Sequence, residues 1–243
     1  MITKALTAVP DALEQPDRIY AIGDVHGHAD RLQAVHALIR DDIADRPVAD
    51  AFLVHLGDYI DRGPDSAGCL EQLAHGSPIS GLRCFNLMGN HESMLLDALE
   101  QPAAARLWLH NGGDATLRSW GIDPESDPRR WRENIPPAHL AFLETLLPMV
   151  VAGVYLFVHA GVRPGIRLPK QSLNDLLWIR EGFLDWNGRM LPDAPKLRIV
   201  HGHTPTPEPE LRPNRLGIDT NAARGGKLTC AALRADSVYF LQA

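Results

Sequence analysis

The apolar positions of this chain fall into short runs that stop at glycine, alternating with stretches whose apolar residues recur every three or four positions. Arg18-Ile19-Tyr20-Ala21-Ile22-Gly23 is the first run and predicts a strand that breaks at its glycine. Asp30 to Ile43 then sets Leu32, Val35, Leu38, Ile39 and Ile43 on one face, the spacing of an amphipathic helix. The unit recurs: Ala51 to Leu56 predicts a strand, Gly57 to Pro64 a charged turn, and Asp65 to His75 a helix with an acidic cap. Gly81 to Met88 predicts a third strand, followed by Gly89-Asn90-His91-Glu92 and a helix over Ser93 to Leu99. Strand, glycine turn and helix in succession predict an α/β fold.

The second half has another rhythm. Residues 100–147 lack strand patterning and predict a helical insertion with Trp108, Trp120 and Trp131 as its core; stacking of one of them on a substrate is the alternative. Met149 to Val158 predicts two strands joined at Gly153, Leu173 to Arg180 a helical turn, and Leu197 to Val200 another strand. Pro205, Pro207, Pro209 and Pro213 predict an extended loop, and Leu216 to Asp219, Lys227 to Arg234 and Ser237 to Leu241 predict closing strands. The sum is two packed sheets with helices outside, in one domain over residues 18–243. Residues 1–17, with Pro10, Pro16 and no sustained period, are expected to form a mobile lead-in.

Composition narrows the function. The 243 residues suffice for a single α/β core. A formal net charge of -6, without a basic block, argues against a nucleic-acid platform or an anionic-membrane binder. The longest apolar run, Met149 to Ala160, is far short of the roughly 20 residues that span a bilayer. The first residues lack the pattern of a signal peptide, so a cytoplasmic location is expected. Cys69, Cys84 and Cys230 share no metal-type spacing and read as buried, reduced thiols.

The chemistry gathers where strands end. Asp24 and His26 follow the first strand, Asp58, Asp61 and Arg62 the second, and Asn90 and His91 the third. His159 and His203 follow later strands, and Arg180 closes the predicted helical turn. In open α/β sheets, sites form beyond the carboxyl ends of the strands, so these turns are expected to converge. Asp58, Asp61 and Arg62 packed against an apolar strand are costly to desolvate unless opposite charge meets them. A divalent cation would meet the carboxylates and an anionic substrate the guanidinium; taken alone, that stretch also reads as a solvated turn with an ion pair. Carboxylate, imidazole and amide oxygen suit first-row divalent ions. Two such ions roughly 3.5 to 4 Å apart bring the pKa of a shared water from 15.7 towards about 7. His36, His55, His75, His110 and His139 read as satisfied core histidines, and His28 has no assigned role.

Gly23-Asp24-Val25-His26-Gly27, Gly57-Asp58-Tyr59-Ile60-Asp61-Arg62-Gly63, Gly89-Asn90-His91-Glu92, His159-Ala160-Gly161 and Gly202-His203-Thr204-Pro205 resemble, in this order, the signature motifs of the phosphoprotein phosphatases among the calcineurin-like metallophosphoesterases, in their bacterial and phage branch. The resemblance implies that Asp24 and His26 hold one metal, that Asp58 bridges, and that Asn90, His159 and His203 hold the second. It implies that His91 is the general acid, oriented by Asp61, and that Arg62 and Arg180 bind the phosphoryl oxygens, Arg180 through the short match Leu177-Trp178-Ile179-Arg180. His201 stays apart, because the family ligand is the histidine before Thr-Pro. The pair of divalent ions is expected to be manganese, with iron, zinc, nickel, cobalt or magnesium as alternatives. The segment Ile218-Asp219-Thr220-Asn221-Ala222 is similar to a late family element in which glycine is commoner than Asn221. The activity implied is hydrolysis of phosphoserine or phosphothreonine in a phosphoprotein, or of a small phosphoester. A dinucleoside polyphosphate hydrolase is the first rival; such enzymes commonly carry Asp where Glu92 stands. A non-catalytic binding module on a phosphatase scaffold is the second.

Overall fold

The computed structural model describes residues 12–243. Two five-stranded mixed sheets lie face to face. The first has the order β10-β9-β1-β2-β3, built from Val238–Gln242, Thr229–Leu233, Arg18–Ile22, Ala51–His55 and Arg83–Asn86. The second has the order β4-β5-β6-β8-β7, built from Met149–Ala152, Tyr155–Val158, Arg198–His201, Arg215–Gly217 and Glu210–Leu211. β1, β2 and β3 pair in parallel, as do β5, β6 and β8, while the outer strands β9, β10, β4 and β7 run antiparallel to their neighbours.

Strand alternation explains why the runs are apolar throughout. Ile19 and Ala21 of β1, Phe52 and Val54 of β2, and Val150, Ala152, Tyr155 and Phe157 of β4 and β5 fill the space between the sheets. Their neighbours in sequence face outward: Tyr20, Ile22 and Leu53 lie under the helices of the first sheet, and Met149, Val151, Leu156 and Val158 form the core on the far side of the second. A strand buried on both faces shows no polar alternation.

Helices α1 (Ala29–Asp45), α2 (Ser66–Ala74) and α3 (Asn90–Glu100) follow β1, β2 and β3. Asp65 caps α2 as expected, accepting the Gly68 N–H at 2.7 Å. The helix expected from Ser93 begins at Asn90 instead. Glu92, the third residue of its first turn, accepts the Gly89 N–H at 2.9 Å and draws the helix start back to the glycine. The buried face of α1 carries Asp42 as well as apolar residues, because Arg18, Tyr20 and Tyr239 all donate to that carboxylate.

Residues 100–147 are helical, in short pieces: α4 (Ala105–Trp108), a π turn (Leu109–Gly113), α5 (Asp114–Ser119), α6 (Trp131–Asn134) and α7 (Pro137–Glu144). Trp108 and Trp131 are buried and meet edge to face, as expected of the insertion's core, while Trp120, expected with them, is half-buried at its margin. The second half adds α8 (Leu173–Trp178). The proline-rich loop contains the two-residue edge strand β7, which was not expected there.

The lead-in needs correcting for residues 12–17; residues 1–11 lie outside the described residues. Leu13 bridges to Ala152, its N–H donating to Val151 O at 2.9 Å, and the Gln15 side chain accepts the Val154 N–H. An unpaired sheet edge offers a partner to any adjacent backbone, so a segment without periodicity is tied down there. Among the described residues no helix is long and apolar enough to cross a membrane.

Candidate metal centre

The turns after β1, β2, β3, β5, β6 and β8 meet at one end of the two sheets. The mixed φ signature is the first sign of how tightly they are drawn together. Among the described residues six non-glycine residues have positive φ: His26, Asp58, Asp61, Arg62, His203 and Asn221. All six lie in these turns, and such angles persist only where surroundings over-determine them. Glu92 supplies much of that determination. Its carboxylate accepts the N–H groups of Asp58 at 2.9 Å, Tyr59 at 2.7 Å and Ile60 at 3.3 Å besides that of Gly89, which clamps the turn after β2 to the start of α3.

Asp58 stands in the middle. Its Oδ2 is 3.4 Å from His26 Nε2 and its Oδ1 is 3.4 Å from His159 Nε2, one oxygen towards each side. Asn90 Oδ1 is 2.9 Å from both His159 Nε2 and His203 Nδ1. The donor atoms of Asp58, His159 and His203 form one cluster and those of His26, Asp58 and His91 another, all buried. Asp24 falls outside both; its carboxylate accepts the His203 N–H at 3.0 Å and lies beside Asp219.

The tautomers suit cation binding. His26 Nδ1 is 2.9 Å from Ile60 O and His159 Nδ1 is 2.9 Å from Leu56 O. A ring that donates from Nδ1 to a carbonyl presents the lone pair of Nε2 to the cleft, the arrangement of metal-binding imidazoles. Burial lowers the ring pKa of His26 to about 3 and of His203 to about 2, so both are neutral donors. Asp24 is pushed well above the usual carboxylate range by burial and by the Asp219 and Asp58 charges, and burial also pushes Asp219 up to about 6. Burial alone would raise Asp58 too, but the surrounding histidines hold it below the ordinary range. Crowded buried carboxylates beside neutral imidazoles form a donor set that a pair of divalent cations would neutralise.

The second group of expected residues lies alongside. His91 Nδ1 is 2.6 Å from Asp61 Oδ2. Burial would lower His91, yet the Asp58 and Asp61 carboxylates outweigh it and hold the imidazole above its ordinary value. The Arg62 guanidinium sits between His26 Nε2 at 2.7 Å and His91 Nε2 at 2.8 Å. Arg180 reaches the same cleft, with Nη2 3.5 Å from His203 O.

Histidines assigned to the core divide. His36 and His55 are buried and 3.0 Å apart, and His139 is buried against Trp120 and Glu71. His75 and His110 are exposed, so for these two the expectation of a core position was wrong; helix faces at the chain surface take polar rings as readily. His201 stays in the core, edge-on to Phe183, separate from His203. Cys69 and Cys230 are buried free thiols and Cys84 is half-buried.

Four neighbours of the site were not among the expected site residues. Trp108 and Thr116 donate to Asp61, Asp219 faces Asp24, and Trp178 sets its ring edge-on to His203 at 6.0 Å. Asp219 and Trp178 carried a signal, through the segments Ile218 to Ala222 and Leu177 to Arg180, and Trp108 was expected in the core of the insertion; Thr116 carried none.

The fold and this donor set define a phosphoesterase of the two-sheet, metal-dependent type. The chain belongs to the calcineurin-like phosphoesterase family, which matches residues 17–239. It is 31% identical over 229 residues to serine/threonine-protein phosphatase 1 of Salmonella typhimurium, covering 89% of this chain and 92% of the relative. It is 26% identical to the asymmetrical bis(5'-nucleosyl)-tetraphosphatase PrpE of Anoxybacillus flavithermus, over 86% of this chain and 87% of the relative. The solved structure of a protein serine/threonine phosphatase from Saccharomyces cerevisiae superposes with a TM-score of 0.59 at 16% identity, over 96% of this chain and 84% of that one, a likeness of fold. The protein is thus a hydrolase of phosphoric esters, of the bacterial phosphoprotein phosphatase type.

Proposed function

We propose that the protein is a metal-dependent phosphomonoesterase acting on phosphoserine and phosphothreonine in proteins. The observation that carries this reading is Asp58, with one carboxylate oxygen 3.4 Å from a histidine nitrogen on each side. In this reading Asp24, His26 and Asp58 hold one cation, and Asp58, Asn90, His159 and His203 the other, manganese being the expected ion. When bound, the pair supplies Lewis-acid polarisation and an acidified water. The chain's own residues do the rest. Arg62 and Arg180 bind and orient the phosphoryl oxygens, whose charge must be neutralised for in-line transfer. Once Arg62, which donates to His91 Nε2 in this structure, turns to the phosphoryl group, the imidazolium of His91 would give its Nε2 proton to the departing oxygen, and Asp61 fixes the ring. The location expected for such an enzyme is the cytoplasm.

Hydrolysis of dinucleoside polyphosphates is the second reading. One observation favours it: Trp178, 39% exposed, stands at the rim of a cleft also lined by Arg62, Arg180 and Arg224. An aromatic plane near three guanidiniums would suit a base and several phosphates. Glu92 bears on this choice only through the turn it clamps, since it does not line the cleft.

Phosphopeptide and diadenosine tetraphosphate assayed side by side with manganese separate the two. His91→Asn should retain both cations and slow hydrolysis about 10²-fold or more for alkyl phosphates, and much less for nitrophenyl phosphate. Equal slowing for both would remove His91 as the acid.

A further inference from the structure

The carboxylate of Asp61 is fully buried and held from three directions. Oδ2 accepts from His91 Nδ1 at 2.6 Å and from Trp108 Nε1 at 2.8 Å, and Oδ1 accepts from Thr116 Oγ1 at 2.6 Å. Thr116 Oγ1 also accepts the Asp61 N–H at 2.8 Å, and Ser66 Oγ lies 2.9 Å from that hydroxyl. Trp108 ends α4 and Thr116 lies in α5, so these two donors come from the helical segment 100–147, while the third, His91, belongs to a strand-end motif.

We infer that Trp108 and Thr116 are positioning residues for the proton-donating pair Asp61–His91, and that the helical segment exists at this site to hold that pair in register. The inference rests on the general-acid reading of His91. Its physical content is rotational. A carboxylate bonded only to His91 can turn about its Cβ–Cγ axis, and the imidazole turns with it. Two further donors, one on each oxygen, fix the carboxylate plane and so fix where His91 Nε2 points, which is at the guanidinium of Arg62, a residue that lines the cleft. Asp61 has a φ of 74°, a backbone state that favours glycine, and the Thr116 hydroxyl secures both its N–H and its side chain. A buried indole N–H needs some acceptor, and a backbone carbonyl would have served. That it takes the oxygen already bonded to His91 is what points to positioning.

The test uses the full chain loaded with manganese. Thr116→Val keeps shape and removes the hydroxyl; Thr116→Ser restores it; Trp108→Phe removes the indole donor. Each is assayed against phosphate esters whose leaving groups run from dinitrophenol to an alkyl alcohol, with inorganic phosphate as a competitive probe of the binding residues. The expected result for Thr116→Val is a fall in kcat of about tenfold for alkyl esters, with dinitrophenyl phosphate and phosphate inhibition nearly unchanged, because only the poor leaving group requires an aligned acid. Thr116→Ser should recover most of the loss, and Trp108→Phe should repeat the leaving-group dependence. A uniform fall across the esters, or no fall, would overturn the positioning role. Asp61→Asn separates the two levels of the argument: if it too slows all esters alike, the general-acid reading has failed; if it slows alkyl esters selectively while Thr116→Val does not, only the positioning role has failed.

Discussion

Asn221 holds φ at 63°, ψ at 39°, and its N–H donates to Asp219 Oδ1 at 2.9 Å. Glycine is commoner at this point in the family that the sequence resembles, and the angle explains both residues: glycine carries no penalty there, and asparagine is among the few others that tolerate it. Asn221→Gly should therefore leave stability within about 0.5 kcal/mol, whereas Asn221→Ala should cost about 1 kcal/mol. Urea unfolding of the two variants checks this, and an alanine variant as stable as the glycine one would contradict it. The departure from the family is thus one of backbone shape. At the same scale, Asp24 shows what residue type alone does not tell. It was matched as a ligand by motif, and the fold sets its carboxylate against the His203 N–H and beside Asp219.

Elements carry longer-range demands. The π turn Leu109–Gly113 contains Gly112 at φ 103°, whose carbonyl accepts the Arg62 N–H at 3.1 Å. A Cβ on Gly112 would stand 2.9 Å from Arg62 Cγ. Gly112→Ala should thus displace Arg62 and weaken inhibition by inorganic phosphate about tenfold, roughly the loss of one charge-assisted hydrogen bond of about 1.5 kcal/mol. Unchanged phosphate inhibition would show that Arg62 does not depend on this turn. Where α1 crosses β2, His36 Nε2 and His55 Nε2 share one hydrogen bond at 3.0 Å, so at most one proton can lie between them. Burial, and then Arg40, lowers His36 to about 4 from 6.5. Both folded and unfolded chains are neutral at His36 above pH 6.5, so its full stability is present there. As pH falls from 6.5 towards 4 only the unfolded chain takes up the proton, and about 3 kcal/mol is lost. His36→Gln should be spared that loss, which makes the difference in unfolding free energy between wild type and variant shift by about 3 kcal/mol between pH 7 and pH 4. A constant difference would mean that the folded chain protonates His36 over the same pH range as the unfolded chain.

For the whole molecule, the residues proposed to hold the cations come from both sheets. Asp24, His26, Asp58 and Asn90 follow strands of the first, and His159 and His203 follow strands of the second. A cation held by Asp58, Asn90, His159 and His203 would tie the sheets together, and both cations would bind only the folded state. At a free manganese concentration a hundred times Kd, each site adds about 2.7 kcal/mol. For a chain of this length that corresponds to a rise in Tm of roughly 5–10 °C per site. Calorimetry of the chelated protein with added manganese measures it, and Asp58→Asn should abolish most of the rise. A Tm indifferent to metal would speak against a centre that joins the sheets.

The apolar runs, the glycines that end them and the polar residues that follow were legible because each is a local matter: a strand buried on both faces needs continuous apolar sequence, and a tight turn needs glycine. Asp24, His26, Asp58, Asn90, His159 and His203 could be picked out by position after a strand, and the order of the strands in the chain was enough to expect them together. Contacts between distant segments left no such mark. Nothing local in Trp108 or Thr116 tells of Asp61, and Leu13 has no period that announces pairing with β4. The same holds for Glu92, whose reach to the backbone of residues 58–60 depends on how α3 packs beside β2. A hydrogen bond across 30 or more residues is decided by the packing that brings its ends together, and that packing exists only in the folded chain.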